Sequence, residues 1–461
     1  MNPSRLFLSL VVACVAFFTA FSQSTFANTL CVNPSGHKGC FTKIQDAVNF
    51  ASNYDIIQVA PGTYNEQVTI GKPLSLLGAG PGATTIDASN LAHGIFVDGL
   101  DYPGVHDVII AGFTIENAQY EGVLLLTASD VIVRDNHVIN NDKDPGLEFT
   151  GAPVGCPDQP GSGTYEHDET GDCGGAIHLI GTVHLILSGN LITGNADGVL
   201  ISDETAESRD NLLIHNTLKD NPLECGIVLA SHPPSGSSAP FFAAHYGVNH
   251  NTVAENVSTG NGVQIGGSGV GLFSDGNGPG TVTGNVIIDN ELIGNGLGGV
   301  ALHTHVGPAF GAPADNMDGN MIIGNHIARN LADTDDTATP GTVGININSG
   351  GGGSPVRGTI ISQNVIRDED VDIAVNTPAN VDVHLNDLLG GKIGVANICA
   401  FDNPNNPSVC TGSVDATENF FGCPGGPGDK GCSNTSGPDI LVTPWLDHSA
   451  VPSGDDDHHQ D

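Results

Sequence analysis

Several apolar segments of this sequence end in side chains that can move protons or hold cations: Ser202 with Asp203, His232, Asp275, His303 with His305, and Asn348. Carboxylates and imidazoles set in a row suit general acid–base work or binding of a divalent cation. Each also suits a plainer role, ending a strand and satisfying the backbone of the loop that follows. In His303-Thr304-His305 the alternate spacing turns both imidazoles to one side of an extended segment, where they could bind a metal ion. No third ligand follows from the sequence, so a plain surface pair is the alternative. The run E-H-D-E-T-G-D, from Glu166 through Asp168 to Asp172, is dense in oxygen ligands for Ca²⁺ but lacks the spacing of an EF-hand. A solvated acidic loop is the alternative there, and for Asp333, Asp335 and Asp336.

Elements that would position these residues are short and repeated. Thr281 to Leu302, T-V-T-G-N-V-I-I-D-N-E-L-I-G-N-G-L-G-G-V-A-L, holds three apolar bursts separated by Asn or Gly, the pattern of three brief strands joined by tight bends. The Asn after the first burst returns as Asn136, Asn190, Asn216, Asn290, Asn325, Asn364 and Asn386, with Gly112 in the same slot one coil earlier. Where no loop intervenes (Gly112 to Asn136, Asn190 to Asn216, Asn364 to Asn386) the period is about 22 to 26 residues, the length of one solenoid turn. One such turn cannot bury its own apolar face; stacked turns pair strand on strand at about 4.8 Å and share a core. Asn suits a shared corner because it tolerates a left-handed backbone and its amide can bond to the Asn above. A β-sandwich, the competing architecture, does not repeat Asn and Gly at a fixed register.

Long insertions are expected after the G-I-x-L strand: Thr150 to Gly175, Ala230 to Val248, His303 to Asp318 and Asn348 to Arg357. Stacked in register, they would wall a groove on one edge of the solenoid. Leu331 to Val343 leaves from another bend and reads as peripheral. Near the start, Ile44, Ala47, Val48 and Ala51 fall at helical spacing within Phe41 to Ala51, with Thr42 available as a cap, so a short helix is expected to seal the open end of the core.

The chain has 461 residues, 63 of them Gly, and a formal net charge of −38 from 51 acidic and 13 basic residues. That charge argues against nucleic acid or anionic lipid as a partner, and a polyanionic substrate would need a bridging cation. Residues 1–27, with Arg5, the apolar run Leu6 to Phe21 and T-F-A before Asn28, read as an export leader, and no later stretch is long and apolar enough to span a bilayer. Outside the leader, eight cysteines fall in close pairs that fit disulfides of an exported protein: Cys31 with Cys40, Cys156 with Cys173, Cys399 with Cys410, and Cys423 with Cys432. Cys225 is left over beside a core strand and reads as a buried, unreactive thiol. The tail D-D-D-H-H-Q-D reads as disordered.

The run F-T-K-I-Q-D-A-V-N-F-A…I-I-Q-V-A-P-G-T-Y-N-E-Q-V-T-I…K-P-L-S-L-L-G-A-G resembles the opening of right-handed parallel β-helix repeat proteins of the pectin-lyase-like superfamily. The phrase V-D-A-T-E-N-F-F-G-C-P-G-G-P-G-D-K-G-C…V-T-P-W-L resembles the closing coil of exported bacterial members. The resemblance implies an all-β, right-handed parallel β-helix of about ten coils, with a helical cap at residues 28–54, the solenoid at 55–398, a disulfide-closed coil at 399–447 and a tail at 448–461. For chemistry it implies less, since fold does not fix function. The N-T-D, G-H-G and R-I-K phrases of polygalacturonase-like members are absent, and outside the tail run Asp455 to Asp457 D-D occurs only as Asp335-Asp336. Methylesterase-like members share G-x-Y-x-E, here Gly62 to Glu66, but their D-F-I-F-G is missing. Pectate-lyase-like members use Ca²⁺ and an arginine base, for which Arg209, near Asp203, Glu204 and Glu207, is the nominee. In that reading Asp203 helps hold Ca²⁺, which acidifies the sugar C5 proton, and Arg209 or His232 removes it, with Asp275 and His303 in the same row. Two functions follow. One is a monomeric, exported protein that binds and cleaves polysaccharide by lyase or hydrolase chemistry; the other is a non-catalytic surface or matrix adhesin.

Overall fold

The computed structural model describes residues 27–141, 175–231, 246–274, 280–304, 307–311, 313–334, 339–349, 352–398 and 412–451. Three long parallel sheets run the length of the molecule, with 14, 12 and 11 strands. We call them sheet A (14), sheet B (11) and sheet C (12). Successive strands pass from A to B to C and back to A, so each sheet pairs a strand with its counterpart one coil away, as Val286–Ile288 pairs with Met321–Ile323. Eleven coils contribute to all three sheets, as the 11 strands of sheet B show. This is a right-handed parallel β-helix, the stacked solenoid that the repeat implied and the architecture that the resemblance implied.

Alternation along each strand sends every second side chain inward. On sheet C the inward column Val123, Ile177, Val199, Ile227, Val270, Val300, Ile345 and Ile373 is wholly or almost wholly buried, and one continuous apolar cluster extends from Val32 to Phe421. The asparagines line up as expected. Asn136 Nδ2 donates to Asn190 Oδ1, Asn190 to Asn216, Asn216 to Asn256, Asn256 to Asn290, and so through Asn325, Asn364 and Asn386 to Asn419. A second ladder runs from Asn141 through Asn195, Asn221, Asn261 and Asn295 to Asn330, and a third from Asn211 to Asn320. Phe113, not Gly112, occupies the first ladder's slot one coil before Asn136, because its N–H donates to Asn136 Oδ1 as Asn136 N–H does to Asn190. Gly112 is the left-handed bend residue just before it (φ 80°).

Helix α1 (Ile44–Phe50) buries Ile44, Ala47 and Val48 over the first coil. Its cap differs from expectation. Lys43 stands at the cap position without a side-chain bond, and the free N–H groups of Ile44 and Gln45 donate instead to the two carboxylate oxygens of Glu66, at 2.8 and 2.9 Å. A carboxylate at a helix N-terminus satisfies otherwise orphaned donors and the helix dipole, so the Y-N-E phrase serves the fold. Disulfides Cys31–Cys40 and Cys423–Cys432 close short loops at the two ends; Cys156, Cys173, Cys399 and Cys410 lie outside the described residues. Cys225 is buried and its sulfur accepts the Ser268 N–H.

Sheet C is bracketed by extra chain on both edges. Residues 232–245, 305–318 and 349–357 follow its strands, as the sequence implied, and so do residues 275–279, which it did not single out. The first long insertion differs: residues 142–174 come between the sheet B strand His137–Ile139 and the sheet C strand Ile177–Ile180, and so enter sheet C rather than leave it. Residues 331–342 do the same before Val343–Asn348.

Candidate functional site

Outward-facing side chains of sheet C differ from those elsewhere on the solenoid. One outward column reads Asp98, Leu126, Ile180, Ser202, Ala230, Phe273, His303, Asn348, Asn376. Ser202, His303 and Asn348 therefore share the register that the sequence assigned to them, but Ala230 and Phe273 stand between. His232, Asp275 and His305 lie outside the described residues, as do Glu166 and Asp168.

Ser202, His178 and Glu204 form the centre of a buried polar network. Ser202 Oγ donates to Glu204 Oε2 at 2.9 Å, and His178 Nε2 is 2.9 Å from the same hydroxyl. A hydroxyl has one hydrogen; with it on Glu204, the His178 Nε2 carries its own hydrogen and donates to Ser202. The other ring nitrogen, Nδ1, is 3.8 Å from Glu121 Oε1, and Nε2 is 4.0 Å from Glu204 Oε1. Glu121 Oε2 in turn lies 2.5 Å from His93 Nδ1. His93, Glu121, His178 and Ser202 thus come from four consecutive coils, and all are 0 or 1% exposed, whereas Glu204 is 8% exposed. Beside them Phe96, Leu124, Leu126 and Ile180 make an apolar cluster on the same outer face. Charged groups in such surroundings survive only when paired, and two imidazoles with two carboxylates can balance one another. The network can hold and pass protons, with Glu204 as its least buried member.

A second, smaller pair sits along the same face. His303 Nε2 is 3.0 Å from Asp333 Oδ2, which also accepts from Asn346 Nδ2 at 2.8 Å, and the His303 ring meets Phe273 edge-on at 5.6 Å. Ser202 and His303 are three strands apart, about 14 Å at the usual strand spacing. Asp333 belongs to the 331–342 insertion, which is therefore not peripheral: it delivers a carboxylate to the sheet C face.

Other nominated residues go elsewhere. Asp203 Oδ2 accepts from Ser231 Oγ at 3.0 Å and from the Gly247 N–H at 2.5 Å, so this carboxylate ties the chain leaving sheet C to the next coil. Arg209 lies in a two-residue strand, its side chain 40% exposed, with Glu207 3.3 Å from its Nε and Asp210 on its Nη1. It does not join Ser202 and His178. Among the described residues no three His, Cys, Asp or Glu side chains converge as a metal site, so no metal-dependent step is derived for this face. His93, Glu121 and His178 are new to the site. The sequence did carry a signal: each is a lone titratable residue against an apolar strand, in H-G-I-F-V, E-G-V-L-L-L and A-I-H-L-I.

The family model described as "Right handed beta helix region" matches residues 93–268. No curated protein matches the sequence. Among solved structures, the catalytic domain of an α-1,3-glucanase in complex with tetrasaccharides superposes with a TM-score of 0.57 at 12% identity, over 92% of this chain and 69% of that one. A surface adhesin of Streptococcus pneumoniae gives 0.49 at 13% identity, over 77% and 82%. An alginate lyase from a Paenibacillus species gives 0.46 at 14% identity, over 74% and 94%. At 12% identity the likeness to the glucanase is one of fold. No helix among the described residues is long and apolar enough to cross a membrane. By its three-sheet coil the chain has the right-handed parallel β-helix fold, the architecture of its matched repeat region and of the glucanase.

Proposed function

We propose that this chain is an exported protein that holds a polysaccharide against the outer face of sheet C and acts on it by acid–base chemistry. The observation that carries the proposal is the contact chain His93, Glu121, His178, Ser202, Glu204, assembled from successive coils on the one face whose strands have extra chain at both ends. Scaffold alone does not require two imidazoles and two carboxylates in an apolar setting, and groups of this kind concentrate at working sites. Glu204 is the group that exchanges a proton with the glycan. Ser202 relays between Glu204 and His178, while Glu121 and His93 orient the ring and balance its charge. In a hydrolase the Glu204 proton goes to the glycosidic oxygen; in a lyase the carboxylate takes the proton from the sugar carbon next to the carboxyl group. The saccharides bound by the glucanase neighbour make glycans the first ligands to try. The two terminal disulfides support an oxidising destination.

A second reading is favoured by the burial itself: with Glu121 and His93 fully enclosed, the network can lock the face of a non-catalytic adhesin. The test is a screen of the full chain against uronic-acid and neutral polysaccharides, with and without Ca²⁺, scoring unsaturated products, reducing ends and bound glycan. Turnover that Glu204→Gln abolishes supports acid–base catalysis. Glycan binding without turnover supports the adhesin, and neither binding nor turnover across the panel rejects both.

A further inference from the structure

One coil breaks the second asparagine ladder. Asn330 N–H and Nδ2 donate not to a further Asn but to Glu369 Oε1, at 2.8 and 3.1 Å. The strand that follows breaks its own column too. Positions equivalent to Asp372 in the other coils are Gly94, Gly122, Gly198, Gly226, Gly269, Gly299, Gly344 and Gly394, with Ala176 once and Gln67 in the first coil. Those glycines are small for a reason: a Cβ at Gly122, Gly226, Gly269 or Gly299 would lie 2.7 to 3.1 Å from the amide nitrogen of a ladder asparagine. At Asp372 the two roles are exchanged. The side chain now comes from the strand, and the ladder slot of the next coil is Gly391, whose Cβ would fall 2.6 Å from Asp372 Oδ1. Asp372 is wholly buried, and neither of its oxygens has a hydrogen-bond partner among the described residues.

A buried carboxylate with no donor, beside a second carboxylate, cannot keep a full charge without a large desolvation cost. We infer that Glu369 and Asp372 act as one proton-holding pair that makes the seating of the last coils on the stack depend on pH. Burial first, and then the charge of Glu369, hold Asp372 well above the ordinary carboxylate range. Burial pushes Glu369 up to about 7 against the opposing bonds from Asn330 and Thr342, with Asp368 adding repulsion. Charged groups around the pair are already engaged: Arg329 lies 3.7 Å from Asp368, and Lys392 of the next coil lies 2.6 Å from Asp370. Gly391 and Gly394 bring no charge from below.

Because the folded pKa lies above the unfolded one, the folded chain binds the extra proton. The stabilisation is complete below the usual glutamate range and is lost as pH rises through about 7. The experiment is hydrogen exchange of the full chain from pH 5 to 8.5, corrected for intrinsic rates. Amides of 371–376 and 393–397 should exchange about tenfold faster at pH 8 than at pH 6, one decade for one unit of proton affinity, while those of 199–202 stay flat. Glu369→Gln combined with Asp372→Asn should remove the slope; Asp372→Gly, which restores the residue of the column, replaces Asp372→Asn in that pair should Asn disturb folding. A flat wild-type profile, or a slope that survives these substitutions, overturns the proposal. So does Ca²⁺ restoring protection at pH 8, which would mean a cation fills the place assigned to the proton.

Discussion

The first asparagine ladder and the outer face of sheet C are built on the same coils, at the same strand spacing, yet they obey opposite rules. At the corner each coil repeats one residue, and each amide is satisfied by the coil on either side, as Asn216 is by Asn190 and Asn256. On the face the residue changes from rung to rung: Ser202, Ala230, Phe273, His303 and Asn348 follow one another in a single column before Asn repeats at Asn376. Repetition is what a stack needs to close its hydrogen bonds. Individuality at a fixed register is what a site needs, because each rung then offers a different group to one ligand.

Substitutions can break or sharpen that contrast. The largest effect belongs to the face. Glu204→Gln should lower turnover on the cognate glycan by about 10²- to 10⁴-fold, the usual worth of a general acid or base, with little change in the unfolding midpoint. At the corner the signature reverses. Asn216→Ala strips the Asn190 N–H and Nδ2 of their shared acceptor, which lies 3.0 and 2.9 Å away. It should cost about 3 kcal/mol in denaturant unfolding, since each buried donor left unsatisfied costs about 1 to 3 kcal/mol, while turnover per folded molecule is retained. Glu66→Ala, which uncaps α1, should cost about 1 to 2 kcal/mol by the same measurement. Arg209→Ala should change stability by less than about 0.5 kcal/mol, as exposed ion pairs do, and should leave glycan turnover within a factor of two. A thousandfold loss there would return catalysis to the arginine and remove it from Glu204.

Much of the scaffold was legible because a stack writes its demands many times over. Asn136, Asn190, Asn216 and their successors announce one corner by recurrence, and the 3.6-residue spacing of Ile44, Ala47 and Val48 announces the helix that covers the end. Glu66 as the cap of that helix was not legible, since the two segments are joined only in space. His93, Glu121 and His178 were hidden for a related reason. They meet across coils separated by insertions of different length, and the 142–174 insertion enters sheet C instead of leaving it, which displaces the register on which their proximity depends. His303 was found, but its partner Asp333 was set aside with the insertion that carries it. Arg209 was nominated for its acidic neighbours Asp203, Glu204 and Glu207; one of these, Glu207, together with Asp210, engages it at the surface.

The most direct test of the central claim is a map of where a bound oligosaccharide perturbs the full chain, using histidine and backbone NMR signals recorded with and without the glycan selected by the screen. Perturbations at His178, Ser202 and Glu204, with the signals of Asn190, Asn216 and Asn256 unmoved, are the result this account predicts. A footprint on the outer face of sheet A or on the closing coil, with sheet C silent, would contradict it.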